Sequence, residues 1–437
     1  MKKIFVIFSL LIGFSSLGQK VKHVVLVSID GFRPDFYTEK HWATPNLKYM
    51  ADNGVVAKGV KTIFPSVTYP SHTTLSTGVL PNKHGVYYNT NVELNTSKAQ
   101  WVYHSSQVKS STIWQWAKEK GLITASVSWP ITLDNAYIDY NLPEIWDFKN
   151  PSDRIKATLD SAIPKGLFEE VLDKAVGKVT SDEFNLSSLA MDENLGRSAA
   201  YILKTYKPNL LTLHLPNTDG AQHSYGREHY EVQRAVAGAD KIVGNLLDAI
   251  QKAGLEDDTV IIVTGDHGFV TTDFALSPNI WLKENGLFDK AYFFSSGGST
   301  LLHLYDYNDT KIVTKVKEVL DKLPQKYKEG FEIISEQQIQ LRGADPRVKL
   351  ALSGKLGYSF TNNFTGEVLT SSKGGKHGYY PSFQQIYTGF VAYGKPVKKG
   401  LVINTLNLED IPVIIGKMLD LSLPDVDGVA LPITNEK

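Results

Sequence analysis

Three apolar runs, each ending in an acidic turn, constrain the fold more than any other feature. HVVLVS (23–28) runs into Ile29-Asp30-Gly31, NLLTLHL (209–215) into Pro216-Asn217-Thr218-Asp219, and TVIIVT (259–264) into Gly265-Asp266-His267-Gly268. Unbroken, β-branched runs of this length predict strands buried on both faces, as in a parallel sheet covered by helices. Helical patterns lie between them. Thr44 before Pro45 predicts a capped helix over 44–53 with Gly54 past its end; 111–120 is closed by Gly121; 192–206 reads as a third helix. Over 228–253, Val232, Val236, Ala239, Val243, Leu247 and Ile250 keep a spacing of three or four and form one stripe. Residues 55–64 and 122–128 read as further extended segments. The chain is therefore expected to be α/β, with a mainly parallel central sheet and helices on both faces. Such sheets bind ligands beyond the carboxyl ends of their strands, where all three acidic turns fall. So much negative charge at one edge calls for cations.

The chain has 437 residues, enough for one large α/β domain with insertions, and 42% are apolar. Basic and acidic side chains number 46 each, so no basic excess suggests a nucleic-acid-binding or anionic-membrane surface. There is no cysteine, which excludes disulfides, thiolate metal sites and a cysteine nucleophile. Residues 1–18 resemble a cleavable signal peptide: Lys2 and Lys3, an apolar stretch over 4–12, then Ser16-Leu17-Gly18. The apolar run is short for a membrane span. The expectation is export to the periplasm or medium of a bacterium, no membrane span after cleavage, and a catalytic domain over 19–437. Residues 131–190 read as irregular loops around a cleft. Residues 271–370 are expected to form an inserted subdomain with a helix near 310–323, and a last helix is expected over 408–419.

In Phe64-Pro65-Ser66-Val67-Thr68-Tyr69-Pro70-Ser71-His72 a threonine is bracketed by prolines ahead of a helix-compatible run. Pro is tolerated at a first helical turn, so Thr68 is expected just before a helix N-terminus, which favours anions. A hydroxyl there is either an ordinary N-cap or, with its pKa lowered by a metal, a nucleophile toward phosphorus. Asp219 and His223 are four residues apart and share a face on a helical turn, as a ligand pair for zinc or a similar metal or as a surface polar pair. Asp266-His267-Gly268 is a metal-binding turn or a turn Asp beside a satisfied His. His377, between glycines in Gly374-Gly375-Lys376-His377-Gly378-Tyr379, is a ligand or a loop histidine. Asp30 before Gly31 is a ligand or a turn initiator.

Taken together, SIDGFRPD (28–35), FPSVTYPSH (64–72), TGVLPNKHGVYYN (77–89), NTDGAQHSYG (217–226), TGDHGF (264–269) and GGKHGY (374–379) resemble the nucleotide pyrophosphatase/phosphodiesterase family of the alkaline phosphatase superfamily. The resemblance runs from about residue 22 to residue 420. It implies an alkaline phosphatase-like fold and two zinc ions, one held by Asp219, His223 and His377, the other by Asp30, Asp266, His267 and the Thr68 oxygen. Metals so paired lie roughly 4 Å apart and clamp the attacking and leaving oxygens. It further implies Thr68 as nucleophile, a phospho-threonine intermediate and Asn89 as the phosphate-contacting amide, with Asn91 as second choice. Other divalent metals also suit Asp/His sites. Ser71 stands where the family often has Asn, and Ile131 where Gly usually follows the Trp129-Pro130 pair near the substrate cleft. His72, His84 and His303 read as structural.

The function implied is an exported two-zinc phosphodiesterase or nucleotide pyrophosphatase acting on small phosphodiesters or nucleotides. Tyr and Trp near the cleft suit a base or a choline headgroup equally. An alkaline phosphomonoesterase on the same scaffold is the alternative; it needs pocket cations for a doubly charged ester, and Lys149 or Arg154 are the residues within reach. A formylglycine sulfatase is excluded, because its C/S-x-P-S-R signature is missing. A non-catalytic binding protein fits less well, because the full ligand set and Thr68 are present.

Overall fold

The computed structural model describes residues 20–92, 100–147, 153–185 and 188–435. The leader over 1–18 and Lys149 lie outside the described residues.

A nine-stranded sheet forms the centre. Its strands are β1 (His23–Ile29), β2 (Val55–Lys61), β3 (Thr124–Val127), β4 (Tyr140–Leu142), β5 (Leu210–Leu215) and β6 (Thr259–Thr264), with three more from the chain's last third. After β6 come β7 (Val270–Leu276), β8 (Ala291–Ser295), β9 (Ser299–Leu304), β10 (Phe331–Ser335), β11 (Leu350–Gly354), β12 (Gly357–Phe360), β13 (Leu369–Ser371) and β14 (Gly375–Lys376). Then β15 (Thr388–Tyr393), β16 (Leu401–Ile403) and β17 (Leu406–Asn407) return to the central sheet. Its order is β16-β2-β15-β6-β1-β5-β3-β4, with β17 also on β2. Only β15 runs against the others. The three expected buried strands are its middle, with Val24 level with Leu210 on one side and Val260 on the other.

Burial on both faces explains the unbroken apolar runs. Val25, Val27 and Ile29 of β1 join the core beneath helices Leu189–Tyr206 and Tyr230–Lys252. Val24 and Leu26 join the opposite core with helices Ile113–Glu119 and Asp410–Met418. The alternation is that of a pleated strand. At about 25 cal/mol per Å² of apolar surface, burying each such side chain contributes roughly 1.5–3 kcal/mol.

Several expectations need correction. Thr44 does not cap helix Pro45–Asn53; its hydroxyl donates to the carbonyl of Phe36. Residues 131–190 are not irregular throughout: they carry β4 and helices Arg154–Ser161 and Leu167–Val171, the latter continued by a π-helical turn over Leu172–Val176. Leu167, Phe168 and Val171 bury one side of that short helix, too few positions to set a period in the sequence. Within 271–370, β8 to β11 make an antiparallel sheet, order β10-β11-β9-β8, with its own core beneath helix Lys311–Asp321. A third sheet, β12-β7-β13 with β14 on β7, leads from the Asp266-His267 turn to the His377 loop.

Candidate active site

Each acidic turn sits where the parallel strands end. Asp30 follows the last residue of β1, its N–H donating to Leu215 O at the end of β5. Gly31 has φ +68°, and a Cβ there would come within 2.7 Å of Gln222, so this turn needs glycine. Asp219 and His223 lie on helix Asn217–Tyr225, just past β5, with the helical spacing expected of them. Asp266 and His267 fill the turn between β6 and β7. Pairing of β14 with β7 sets Lys376 opposite Val270 and delivers His377 to the same place.

The side chains converge in two overlapping groups. Asp219, His223 and His377 form one; Asp30, Asp219 and His267 form the other, and within each the ligand atoms lie within 4.8 Å of one another. His223 Nε2 is 3.4 Å and His377 Nε2 3.6 Å from the same Asp219 Oδ1. His267 Nε2 is 3.0 Å from Asp266 Oδ2 and 3.4 Å from Asp30 Oδ1. The other nitrogen of each ring is occupied: His223 Nδ1 donates to Gly375 O at 3.0 Å, His377 Nδ1 to Ser66 O at 2.9 Å and His267 Nδ1 to Gly268 O at 3.1 Å. A carbonyl accepts only, so Nδ1 carries the proton and Nε2 presents its lone pair inward, as imidazole ligands of a metal do.

The same space holds buried polar atoms with no hydrogen-bond partner: Asp30 Oδ1, Asp219 Oδ1, Asp266 Oδ2 and His267 Nε2. Orphaned carboxylate oxygens are costly, and a divalent cation satisfies them. The electrostatics agree. Burial, then the charges of Asp266 and Asp219, push the Asp30 carboxyl well above its ordinary range. Burial also acts to raise Asp266, but His267 beside it prevails and holds it low. His267, opposed by burial, is raised to about 9 by Asp266 and Asp30. Three carboxylates and three inward imidazole lone pairs thus fit a pair of divalent cations.

Thr68 opens onto this cluster. It is the first residue of helix Thr68–Thr77, and the N-cap is Val67, with no side-chain cap. The simple capping reading of Thr68 therefore fails, and its hydroxyl lines a cavity of about 320 Å³ together with Asp30, Asp219, His223 and His377. Tyr69 N donates to Asn89 Oδ1 at 2.9 Å, and Asn89 lines the cavity with its amino group outside that bond. The structure brings Asn89 to Thr68; Asn91 lines a separate cavity beside Arg347. His72 is buried behind Thr68, its Nδ1 donating to Thr68 O at 2.8 Å. Burial, with His214 nearby, lowers it to about 3, so it stays neutral. His84 and His303 bond to Thr74 and Tyr88. Trp129, expected near the cleft, is fully buried and packs edge-on against His72, its ring 5.0 Å away. The cavity walls are instead Tyr69, Trp101 and Trp146, with ring separations of 5.2 and 5.1 Å.

His214 and Glu144 were not singled out in the sequence. His214 Nε2 is 3.1 Å from Asp30 Oδ2, and its Nδ1 2.8 Å from Glu144 Oε2. Tyr69 OH donates to the other Glu144 oxygen at 2.9 Å. One chain of contacts thus runs from Asp30 to the aromatic wall. Burial opposes the imidazolium, but carboxylates on both nitrogens raise His214 well above its ordinary range. Glu144 is held low, against burial, by His214, Arg154 and Tyr69. The signal for His214 was an imidazole inside the buried run NLLTLHL.

Comparison with known proteins places this arrangement in a class. Murine ectonucleotide pyrophosphatase/phosphodiesterase 5 superposes with a TM-score of 0.69 over 93% of this chain and 97% of its own at 19% identity, and an inactive form of it was solved in complex with AMP. That likeness is one of fold, an α/β fold of the alkaline phosphatase-like type. The family model described as type I phosphodiesterase / nucleotide pyrophosphatase matches residues 24–380, and the chain belongs to that family. Among curated relatives, mouse ectonucleotide pyrophosphatase/phosphodiesterase family member 7 is 25% identical over 410 residues, 88% of this chain and 80% of the relative. Human bis(5'-adenosyl)-triphosphatase ENPP4 is 23% identical over 415 residues, 91% of this chain and 77% of the relative. The protein is thus a hydrolase of phosphodiester or pyrophosphate bonds from a metal-dependent family. Among the described residues, no helix is long and apolar enough to cross a membrane.

Proposed function

We propose that this chain is an exported two-zinc phosphodiesterase or nucleotide pyrophosphatase that works through a phospho-threonine at Thr68. The observation that carries the reading is the set of three histidines with carbonyl-anchored Nδ1 atoms, turned onto orphaned carboxylates beside an uncapped threonine. Asp219, His223 and His377 would hold one cation, and Asp30, Asp266, His267 and the Thr68 oxygen the other. When bound, the two cations neutralise the carboxylates, lower the pKa of the threonine and water hydroxyls and offset charge on the phosphoryl oxygens.

The chain's own groups do the rest. Thr68 Oγ1, its proton released to solvent, forms a bond to phosphorus as the bond to the leaving oxygen breaks with its electron pair. The Asn89 amino group donates to a phosphoryl oxygen, and the amide end of helix Thr68–Thr77 favours the anion. Water then attacks phosphorus and loses a proton to solvent, as the phosphorus–Oγ1 bond breaks with its electron pair on Thr68, which takes up a proton and returns to the hydroxyl. The expected leader over 1–18 supports export.

The cavity at Thr68 favours a diester over a monoester. Among the described residues lining it there is no Lys or Arg, and Asn89 is neutral. Arg154 is buried behind Trp146, its guanidinium 5.0 Å from that ring and its Nε donating to Ile145 O. A singly charged diester needs no further cation; a doubly charged monoester does. Nucleotides as substrates are supported by the activities after which the relatives are named, and the aromatic wall suits a base.

The test is Thr68→Ala on metal-replete protein. Turnover of the p-nitrophenyl ester of thymidine 5′-monophosphate is expected to fall by roughly 10³-fold or more, with two metals per chain retained. Unchanged turnover would exclude Thr68 as the nucleophile.

A further inference from the structure

Two cavities meet at the cluster, and their charges differ. The one at Thr68 is lined by Asp30, Glu144 and Asp219. The second, of about 450 Å³, shares Asn89, Trp101, His223 and His377 with it but not Thr68. Among the described residues lining the second there is no carboxylate and one cation, Lys376. Among the described residues, no hydrogen bond or ion pair holds the Lys376 ammonium. An ammonium beside an open cavity is available to an anion.

The wall facing Lys376 is built rather than incidental. Ser295 at the end of β8, and Ser296 and Gly297 in the turn to β9, line it with Thr361 and Asn362. Ser295 N donates to Asn362 Oδ1 at 2.8 Å and Ser295 Oγ to Phe360 O at 2.8 Å. Gly298 N donates to His377 O at 2.6 Å. A Cβ at Gly297 would lie 2.9 Å from that same carbonyl, so the hydroxyl-bearing turn closes directly on the His377 strand.

An in-line displacement at phosphorus puts the leaving oxygen on the side away from the nucleophile. Thr68 lines the first cavity alone, while His223 and His377 border both. We propose that the second cavity is the leaving-group subsite, and that Lys376 with the Ser295–Asn362 wall makes it selective for leaving groups that themselves carry phosphate. This assignment rests on the phosphodiesterase reading above. It implies that the half of the substrate retained on Thr68 sits in the aromatic cavity, whose described lining offers a second phosphate no Lys or Arg.

The experiment compares two substrates in metal-replete wild type, Lys376→Met and Lys376→Arg. ATP releases pyrophosphate; the p-nitrophenyl ester of thymidine 5′-monophosphate releases a leaving group without phosphate. A charge-assisted contact predicts that the ratio of kcat/KM values, ATP over nitrophenyl ester, falls roughly 10- to 100-fold in Lys376→Met. The Arg variant is expected to recover most of it. A ratio within twofold of wild type, or Arg failing to rescue, overturns the assignment. Pyrophosphate binding to the desalted proteins, followed by calorimetry with metal content checked afterwards, separates the two readings. If wild type cleaves neither substrate, the phosphodiesterase reading fails, and pyrophosphate binding decides the subsite alone. Roughly tenfold weaker binding in Lys376→Met upholds it, and equal binding overturns it.

Discussion

His214 shows how much one side chain can carry in this site. It joins Asp30, which closes β1, to Glu144, which also holds the hydroxyl of Tyr69. Groups that orient a metal ligand typically contribute 10- to 100-fold in metal affinity. His214→Phe is therefore expected to weaken binding of one of two zincs by about that factor in a chelator competition; unchanged affinity for both would show that His214 only fills space. Asn89→Ala removes a neutral donor to the phosphoryl group, and kcat/KM is expected to drop roughly 10²-fold with metal content unchanged. These two residues mark what was legible. Thr68 and Asn89 sit in motifs whose resemblance to the family implies the roles proposed for them. A single histidine within an apolar strand looks the same whether it supports a ligand or is merely satisfied in the core, and Glu144 lies where no periodicity places it. Ile131 shows a departure with a visible consequence. It holds φ +59° in place of the usual glycine and packs with Tyr69, Val86 and Val102. A β-branched residue is strained there, and its packing buttresses the aromatic wall.

The site is assembled at the ends of strands, by turns whose backbones leave no room for alternatives. Gly374 has φ +77°, and a Cβ would meet His223 O at 1.9 Å. Gly374→Ala must shift the loop carrying Gly375 O, the anchor of His223 Nδ1. Loss of roughly 1–3 kcal/mol of stability and weakened metal binding are expected, read by thermal melting and metal content; full metal binding would show that the loop adapts. Helix Leu189–Tyr206 contributes differently. Its Asp192 is buried, accepts from Asn217 N at 3.2 Å and has no partner for Oδ2. Burial pushes it up to about 7. The folded state thus holds this proton more tightly than the unfolded chain, so this group lowers stability as pH rises from about 4 to about 7. Asp192→Asn removes that loss. The melting temperature of the variant relative to wild type is expected to climb between pH 5 and pH 8, and a constant difference would contradict the buried-proton account. The strands and long helices were legible because burial on two faces, or on one stripe, repeats along the chain. The Thr44 cap was misread because its hydroxyl has a nearer carbonyl in Phe36, a tertiary contact that local sequence does not contain. The 131–190 helices are too short to show a period.

Over the whole molecule, a mainly parallel sheet collects acidic turns from distant parts of the chain, and in the proposed account cations hold them together. Asp30 and Asp266 are 236 residues apart in sequence, yet Gly31 N donates to Asp266 Oδ1 at 3.1 Å. Removing metal leaves Asp30, Asp219 and Asp266 facing one another, so chelation is expected to lower the melting temperature by several degrees and zinc to restore it. A ligand at 1,000 times its Kd stabilises by about 4 kcal/mol. No change on chelation would mean the cluster is satisfied by protons alone. The most direct test of the account pairs two substrates on metal-replete protein. Hydrolysis of bis-p-nitrophenyl phosphate is compared with that of p-nitrophenyl phosphate, each with and without chelator. A strong preference for the diester that chelator abolishes and zinc restores is the predicted result. A preference for the monoester, or diester hydrolysis that survives loss of the metals, would contradict a metal-dependent diesterase centred on Thr68.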